Sequence, residues 1–89
     1  MLVEDPHVDG WDVVDQRLVR TFTFADFSEA FGFMTRVALI AEKLDHHPDW
    51  ENSWNKVTIG VTSHAEGGIT DLCVDFATRV NRLVASSPS

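Results

Sequence analysis

Three histidines and one glutamate are the residues of this chain best suited to acid–base chemistry. His46 and His47 are adjacent, Glu42 lies just upstream of them, and His64 follows a later apolar segment. Glu42 and His46 stand at positions i and i+4, so on a helix their side chains are neighbours. A carboxylate and the C-terminal end of a helix both favour the imidazolium ion. We therefore expect the pKa of His46 to be raised toward or above neutrality, which suits a proton donor.

The same residues admit two other interpretations. An adjacent histidine pair before Pro48 is also typical of an exposed loop or of a helix C-cap. Glu42, His46 and His64 have ligand types that suit zinc, although the paired short spacing of zinc sites is missing. Under the acid–base interpretation, His64 lies opposite the histidine pair and the imidazoles line a small cleft. Three tryptophans could form an apolar wall for a flat heteroaromatic ligand there: Trp11, Trp50 and Trp54.

The other chemically notable residues favour structural roles. Cys73 lies on an apolar stripe, where a buried structural thiol is expected more than a nucleophile. Gly67 and Gly68 precede a helix and could hold an anion, but two glycines are more typical of a simple turn. His7 lies in a segment without periodicity and is expected to be exposed to solvent.

Composition places the chain among ordinary globular domains. Its 89 residues, 44% apolar and 24% charged, allow one domain with one aromatic-rich core. The single cysteine excludes an internal disulfide and is consistent with a reducing compartment. Short apolar runs and an acidic N-terminus predict neither a membrane span nor a secretion signal, so we expect a cytoplasmic protein. A net charge of −7 argues against direct binding to nucleic acid.

The elements that must position these residues follow from hydrophobic periodicity. Alternation of period two predicts strands, and an aspartate at position 26 with a glutamate at 29 predicts a helix start. Residues 1–10 are expected to form an arm, 11–85 the single domain, and 86–89 a disordered tail. The predicted elements are strands at 11–15, 17–24, 49–54 and 56–64, with helices at 26–44 or 26–45 and from Thr70 onward. His64 would then end the fourth strand.

The helix faces predict how the layers pack. In the first helix, two adjacent apolar stripes are expected to cover the sheet, whereas Leu39 lies outside them and points to a subunit contact. These stripes are Phe27, Phe31, Met34, Ala38 and Ala41, and Phe33, Val37, Ile40 and Leu44. In the second helix the expected apolar stripe is Leu72, Cys73, Phe76, Val80, Leu83 and Val84. The fold class is α+β: a β-β-α-β-β-α two-layer sandwich with a four-stranded antiparallel sheet and both helices on one face. The edges of such a small sheet favour a homo-oligomer.

Several motifs resemble those of the pterin-4a-carbinolamine dehydratase family. The resemblance extends from about Trp11 to Val84. Its most specific part is Glu-x-x-x-His-His-Pro-x-Trp, which begins at Glu42. The other matching segments are Phe31-Gly32-Phe33-Met34-Thr35-Arg36-Val37-Ala38, Trp54-Asn55, His64 and Gly67-Gly68-Ile69-Thr70.

The resemblance implies an enzyme that dehydrates 4a-hydroxytetrahydropterins to quinonoid dihydropterins. This reaction recycles the pterin cofactor of aromatic amino acid hydroxylases and requires no metal or organic cofactor. The family's three active-site histidines correspond to His46, His47 and His64, and its members form homodimers or homotetramers. Animal members also bind a homeodomain transcription factor as a dimerisation partner, and some relatives are assembly factors. A non-catalytic binding role is therefore the alternative function.

The sequence departs from the family pattern in two places. Only ten residues precede Trp11, fewer than the family's usual first helix needs, so contacts made by that helix are in question. Cys73 stands where the family usually has the aspartate of a Thr-x-x-Asp arrangement that begins here at Thr70. If that aspartate only caps a helix, its loss costs about 0.5–2 kcal/mol of stability. If it orients a histidine instead, activity here is expected to be reduced.

Overall fold

Within residues 1–85, two helices and four strands follow one another in the order that the sequence predicts. The computed structural model describes residues 1–85. The elements are β1 (Asp12–Val14), β2 (Arg17–Thr23), α1 (Phe27–Leu44), β3 (Asp49–Ser53), β4 (Lys56–Val61) and α2 (Asp71–Ala85). The strands pair in the order β1-β2-β4-β3, and every pairing is antiparallel. The predicted α+β class and the four-stranded antiparallel sheet are confirmed.

The core lies between the sheet and the two helices. Alternate residues of β2 and β4 face it, because side chains along a strand point to opposite faces in turn. Leu18 pairs with Val61 across these strands, and both side chains are fully buried. The strand residues belong to one cluster with buried residues of both helices, which therefore pack on the same face. These helix residues are Ala30, Phe33, Val37, Ala41, Cys73, Phe76, Ala77 and Val80.

The start of α1 is capped as its sequence predicts. Asp26 adopts an extended conformation, and its Oδ1 accepts a hydrogen bond from the backbone N–H of Glu29 at 2.8 Å. The Glu29 side chain in turn accepts one from the backbone N–H of Ala25 at 3.0 Å. These bonds satisfy N–H groups that have no partner within the helix.

Replacing Asp26 with alanine should lower the free energy of unfolding by about 0.5–2 kcal/mol, because the cap bond to Glu29 is lost. Urea denaturation measures this change. Asp12→Ala is the matched control, since Asp12 is an exposed aspartate of β1 outside any cap. Equal stabilities of the two variants would contradict the capping role.

The predicted core face of α1 is partly wrong. Phe27 and Phe31 are 49% and 56% exposed, and their ring centroids lie 5.9 Å apart on the surface. Ala38 is also exposed. The buried residues share one face, centred between the two predicted stripes, because α2 and the sheet cover only that side of the helix. Leu39 is 67% exposed, outside the core as predicted.

Two predictions near α2 also need correction. β4 ends at Val61, so His64 lies in the following loop rather than on the strand. A bridge between Ser63 and Gly68 closes that loop before α2 begins. Leu72, assigned to the buried stripe, is 37% exposed. The predicted disordered tail at 86–89 lies outside the described residues.

The N-terminal residues contact the main body of the fold. Leu2 forms a bridge with Thr70, and the backbone N–H of Val3 donates to the carbonyl of Ile69 at 2.9 Å. Val8 is buried in the core. These contacts hold the first residues beside the start of α2. Within residues 1–85, neither helix is long and apolar enough to cross a membrane.

Candidate active site

Four chain segments converge at one end of the sheet. There α1 ends at Leu44, β3 begins at Asp49, β4 ends at Val61 and α2 begins at Asp71. Asp49 pairs with Gly60, near the end of β4, so the histidines before β3 and the loop after β4 lie at the same end of this hairpin. The topology therefore brings His46, His47 and His64 to one end of the molecule.

The end of α1 determines how the histidine pair leaves the helix. Asp45 has a left-handed conformation with φ of 51°, and its N–H bonds to the carbonyls of Ala41 and Glu42. The N–H of His46 also bonds to the carbonyl of Ala41, at 3.0 Å. This capped turn ends the helix before His46, and Pro48 prevents its continuation. The i to i+4 geometry that would pair Glu42 with His46 is therefore lost.

His46 contacts α2 instead of Glu42. Its Nε2 lies 3.2 Å from Sγ of Cys73, a fully buried residue in the first turn of α2. Burial lowers the pKa of His46 below its ordinary value, and the positive charge of His47 lowers it further. The expected upward shift of this pKa is therefore wrong, because the carboxylate that would cause it contacts another residue.

That other residue is His47. Its Nε2 lies 2.8 Å from Oε1 of Glu42, within hydrogen-bond distance. Both side chains are more than half exposed, so water screens this ion pair. Glu42 thus orients His47, which is free to meet a ligand from the solvent side.

His64 is paired with a carboxylate that the sequence analysis did not select. Its Nε2 lies 3.8 Å from Oδ2 of Asp49, and the same oxygen lies 3.6 Å from Nη1 of Arg17. The imidazole is 84% exposed, so it is accessible to a ligand. The guanidinium of Arg17 lies over Gly60, where a Cβ would come within 3.0 Å of Nη1. The absence of a side chain at Gly60 therefore gives Arg17 its position.

An open cleft of about 250 Å³ adjoins His64. A second cleft of about 220 Å³ lies on the outer face of the sheet, next to Asp49 and Glu51. Arg17 lines both clefts. This end of the molecule therefore offers an imidazole, a guanidinium and a carboxylate to a polar ligand.

The tryptophans do not share one location. Trp50 immediately follows the histidine segment and is half-buried, and its pairing with Ile59 places its ring against the core on the helix side of the sheet. Trp11 is a core residue whose Nε1 donates to Oδ1 of Asn81 at 2.8 Å. Trp54 is 66% exposed in the β3–β4 turn, about 16 Å along β3 from the histidines at the usual rise per residue. The expectation that Trp11 and Trp54 line the histidine cleft is therefore wrong for this chain.

Sequence reasoning did not identify Asp49 and Arg17 as site residues. Asp49 lies within the histidine segment, which was a usable signal, but Arg17 is distant in sequence and only β2–β4 pairing brings it near. The alternative of a metal site built from Glu42 receives no geometric support, since its carboxylate contacts His47. Among residues 1–85, no three histidine, cysteine or acidic side chains converge in a way that could hold a metal ion.

The fold and this site define a small α+β protein with three separately paired imidazoles at one end of an antiparallel sheet. The sequence model described as Pterin 4 alpha carbinolamine dehydratase matches residues 2–83. The chain belongs to this family. Proteins of Brucella ovis and Brucella canis, provisionally named pterin-4-alpha-carbinolamine dehydratase, are each 49% identical over 78 residues. The matches cover 85% of this chain and 80% of each relative.

Two solved structures share the architecture. A crystal structure from Brucella melitensis, described as a transcriptional coactivator/pterin dehydratase, superposes with a TM-score of 0.81 at 48% identity. It covers 84% of this chain and 82% of its own. A pterin dehydratase-like protein identified as a RuBisCO assembly factor superposes with a TM-score of 0.70 at 22% identity, covering 86% of this chain and 89% of its own. At that identity the second likeness concerns the fold alone.

Proposed function

We propose that this chain catalyses the dehydration of 4a-hydroxytetrahydropterin to quinonoid dihydropterin and water. The observation that carries the proposal is the convergence of three imidazoles, each with a different partner, at one end of the sheet. Cys73 contacts His46, Glu42 contacts His47, and Asp49 lies beside His64. Family membership supports a pterin as the substrate.

The reaction requires two proton transfers. One proton goes to the departing 4a-hydroxyl, which leaves as water, and one proton is removed from a ring nitrogen. Imidazoles near neutral pH can perform both steps. We assign the proton transfers to His46 and His64, while His47, oriented by Glu42, positions the pterin. The reaction is a simple elimination of water, so we propose that no metal or organic cofactor takes part.

The half-buried Trp50 is the best candidate for an apolar contact with the flat pterin ring. It pairs with the buried Ile59 and packs against the core on the helix side of the sheet, the side on which His46 contacts α2. Aromatic side chains offer a large, rigid surface to such ligands. We also propose a homodimer or homotetramer, since β1 and β3 leave two strand edges of the described sheet unpaired.

The proposal is tested by following the formation of quinonoid dihydropterin from freshly generated 4a-hydroxytetrahydropterin. The purified protein should accelerate product formation well beyond the spontaneous rate. His7→Ala is the matched control, because His7 is exposed and contacts only Asp9 among the interactions seen for it. This variant should retain the full rate. A rate equal to the spontaneous one with intact protein would refute the proposal.

A binding role of the same fold is the second candidate. The exposed pair Phe27 and Phe31 on α1 favours it, because two neighbouring aromatic rings exposed on a surface are typical of a protein contact. A folded protein that binds a pterin or a protein partner without accelerating dehydration would favour this role over catalysis.

A further inference from the structure

The contact between Cys73 and His46 gives the thiol a place in the site. Cys73 is fully buried, and its Sγ lies 3.2 Å from Nε2 of His46. The same sulfur lies 3.4 Å from Oγ1 of Thr70, a buried residue just before α2. The sulfur thus lies within hydrogen-bond distance of a hydroxyl on one side and of an imidazole on the other.

This chain of three groups can carry its protons in two arrangements, because either Thr70 or Cys73 can be the donor in the contact between them. A thiol has one weak donor and a weak acceptor, and a neutral imidazole has one N–H and one unprotonated nitrogen. If the Cys73 S–H donates to Thr70, the sulfur is left as the acceptor for the Nε2–H of His46. The proton on Nε2 then leaves Nδ1 as the basic nitrogen of His46.

The charged groups around His46 are mostly engaged elsewhere. A charge on His47, the next residue in the chain, opposes protonation of His46 and lowers the pKa of His46, after burial, which has the larger effect. Glu42 of α1 contacts His47, and Asp49 of β3 lies beside His64 and Arg17. Two further acidic residues are exposed: Asp45, which precedes His46, and Asp71, in the first turn of α2. No carboxylate contact of His46 is seen within residues 1–85, so its direct side-chain partner is the sulfur of Cys73.

We propose that Cys73 is a positioning residue for His46: its buried, uncharged thiol accepts the Nε2–H, keeps the imidazole neutral and leaves Nδ1 to take a proton. This inference rests on the proposed function in one respect, since the proton taken would be the one that leaves the pterin ring. The proton delivered to the hydroxyl would then come from His64. The protonation pattern itself does not depend on catalysis.

The pattern can be measured directly by NMR of isotope-labelled histidine rings. In the wild-type protein at neutral pH, His46 should be a neutral ring with its proton on Nε2. The ultraviolet absorbance of the protein should show no thiolate at that pH. A proton on Nδ1, or a thiolate paired with an imidazolium, would overturn the proposal.

Two substitutions at Cys73 distinguish the effect of a charged partner on His46 from the effect of a neutral one. In Cys73→Asp, a carboxylate beside Nε2 should raise the midpoint of the His46 titration by about one to three pH units. In Cys73→Ser, a neutral hydroxyl should keep both the Nε2 proton and a midpoint close to that of the wild type. An unchanged midpoint in folded Cys73→Asp would overturn the proposal. If Cys73→Asp fails to fold, the NMR spectra of His46 in Cys73→Ser and in the wild-type protein still test the proposal.

Activity provides a separate measurement. His46 must be neutral to accept a proton, so kcat/KM should fall on the acid side as His46 becomes protonated. In Cys73→Asp this fall should move to higher pH by the same amount as the NMR midpoint, while Cys73→Ser should keep the wild-type profile. If the NMR results hold but no variant catalyses dehydration, the proposed function fails and the thiol's effect on His46 stands. If the activity profile and the NMR midpoint move independently, His46 is not the proton acceptor.

Discussion

Alanine at His46 should lower kcat/KM for pterin dehydration by about 10²–10⁴-fold, the usual contribution of a general acid or base. His64→Ala should cause a loss of the same order. Each substitution removes one of the two imidazoles assigned to proton transfer, and neither side chain belongs to the hydrophobic core. The measurement is the initial rate of quinonoid dihydropterin formation at several substrate concentrations.

Two controls distinguish this loss from a structural effect. Thermal unfolding should show that both variants remain folded, since His46 is only half-buried and His64 is exposed. His47→Ala should raise KM more than it lowers kcat, because His47 is assigned to binding rather than to proton transfer. Wild-type rates in both His46→Ala and His64→Ala would refute the acid–base assignment.

Truncation of Phe76 to alanine should lower the free energy of unfolding by about 3–5 kcal/mol. Phe76 lies in α2, is fully buried and is the largest of the completely buried side chains. The variant loses the transfer free energy of the ring and leaves a cavity between the helices and the sheet. Because small domains are only marginally stable, such a loss is a large part of the total. Urea denaturation, with comparison of midpoints and slopes, measures it.

Phe31→Ala is the matched control, because Phe31 is an aromatic helix residue that is 56% exposed. Its substitution should change the free energy of unfolding by no more than about 0.5 kcal/mol in the monomer. A similar loss in both variants would mean that Phe31 is buried in solution, as it would be at a subunit contact. A small loss in Phe76→Ala would contradict the described core.

Most of the architecture could be predicted from local patterns. The alternation in β2 and β4 has period two, and the Asp26–Glu29 pair marks the start of α1, so element order and fold class follow from the chain itself. The face of α1 was harder to predict. Two adjacent stripes were both apolar, and only the positions of α2 and the sheet determine which side of the helix is covered.

The candidate site, like the fold, could be predicted only in part. The sequence alone identified the histidines, the glutamate and the cysteine as notable residues, and Pro48 indicated that a helix ends close to the histidine pair. It did not determine their partners. The left-handed turn at Asp45 directs His46 away from Glu42, which leaves that carboxylate to His47.

Contacts between residues that are distant in sequence could be identified only from the tertiary structure. Cys73 meets His46 only because α2 begins beside the end of α1, and Asp49 meets Arg17 only through the pairing of β2, β4 and β3. Residue types thus determine which proton transfers are possible, because pKa values near neutrality belong to imidazole itself. Contacts between elements decide which imidazole stays neutral, because burial and neighbouring charge act over a few ångströms that periodicity does not specify.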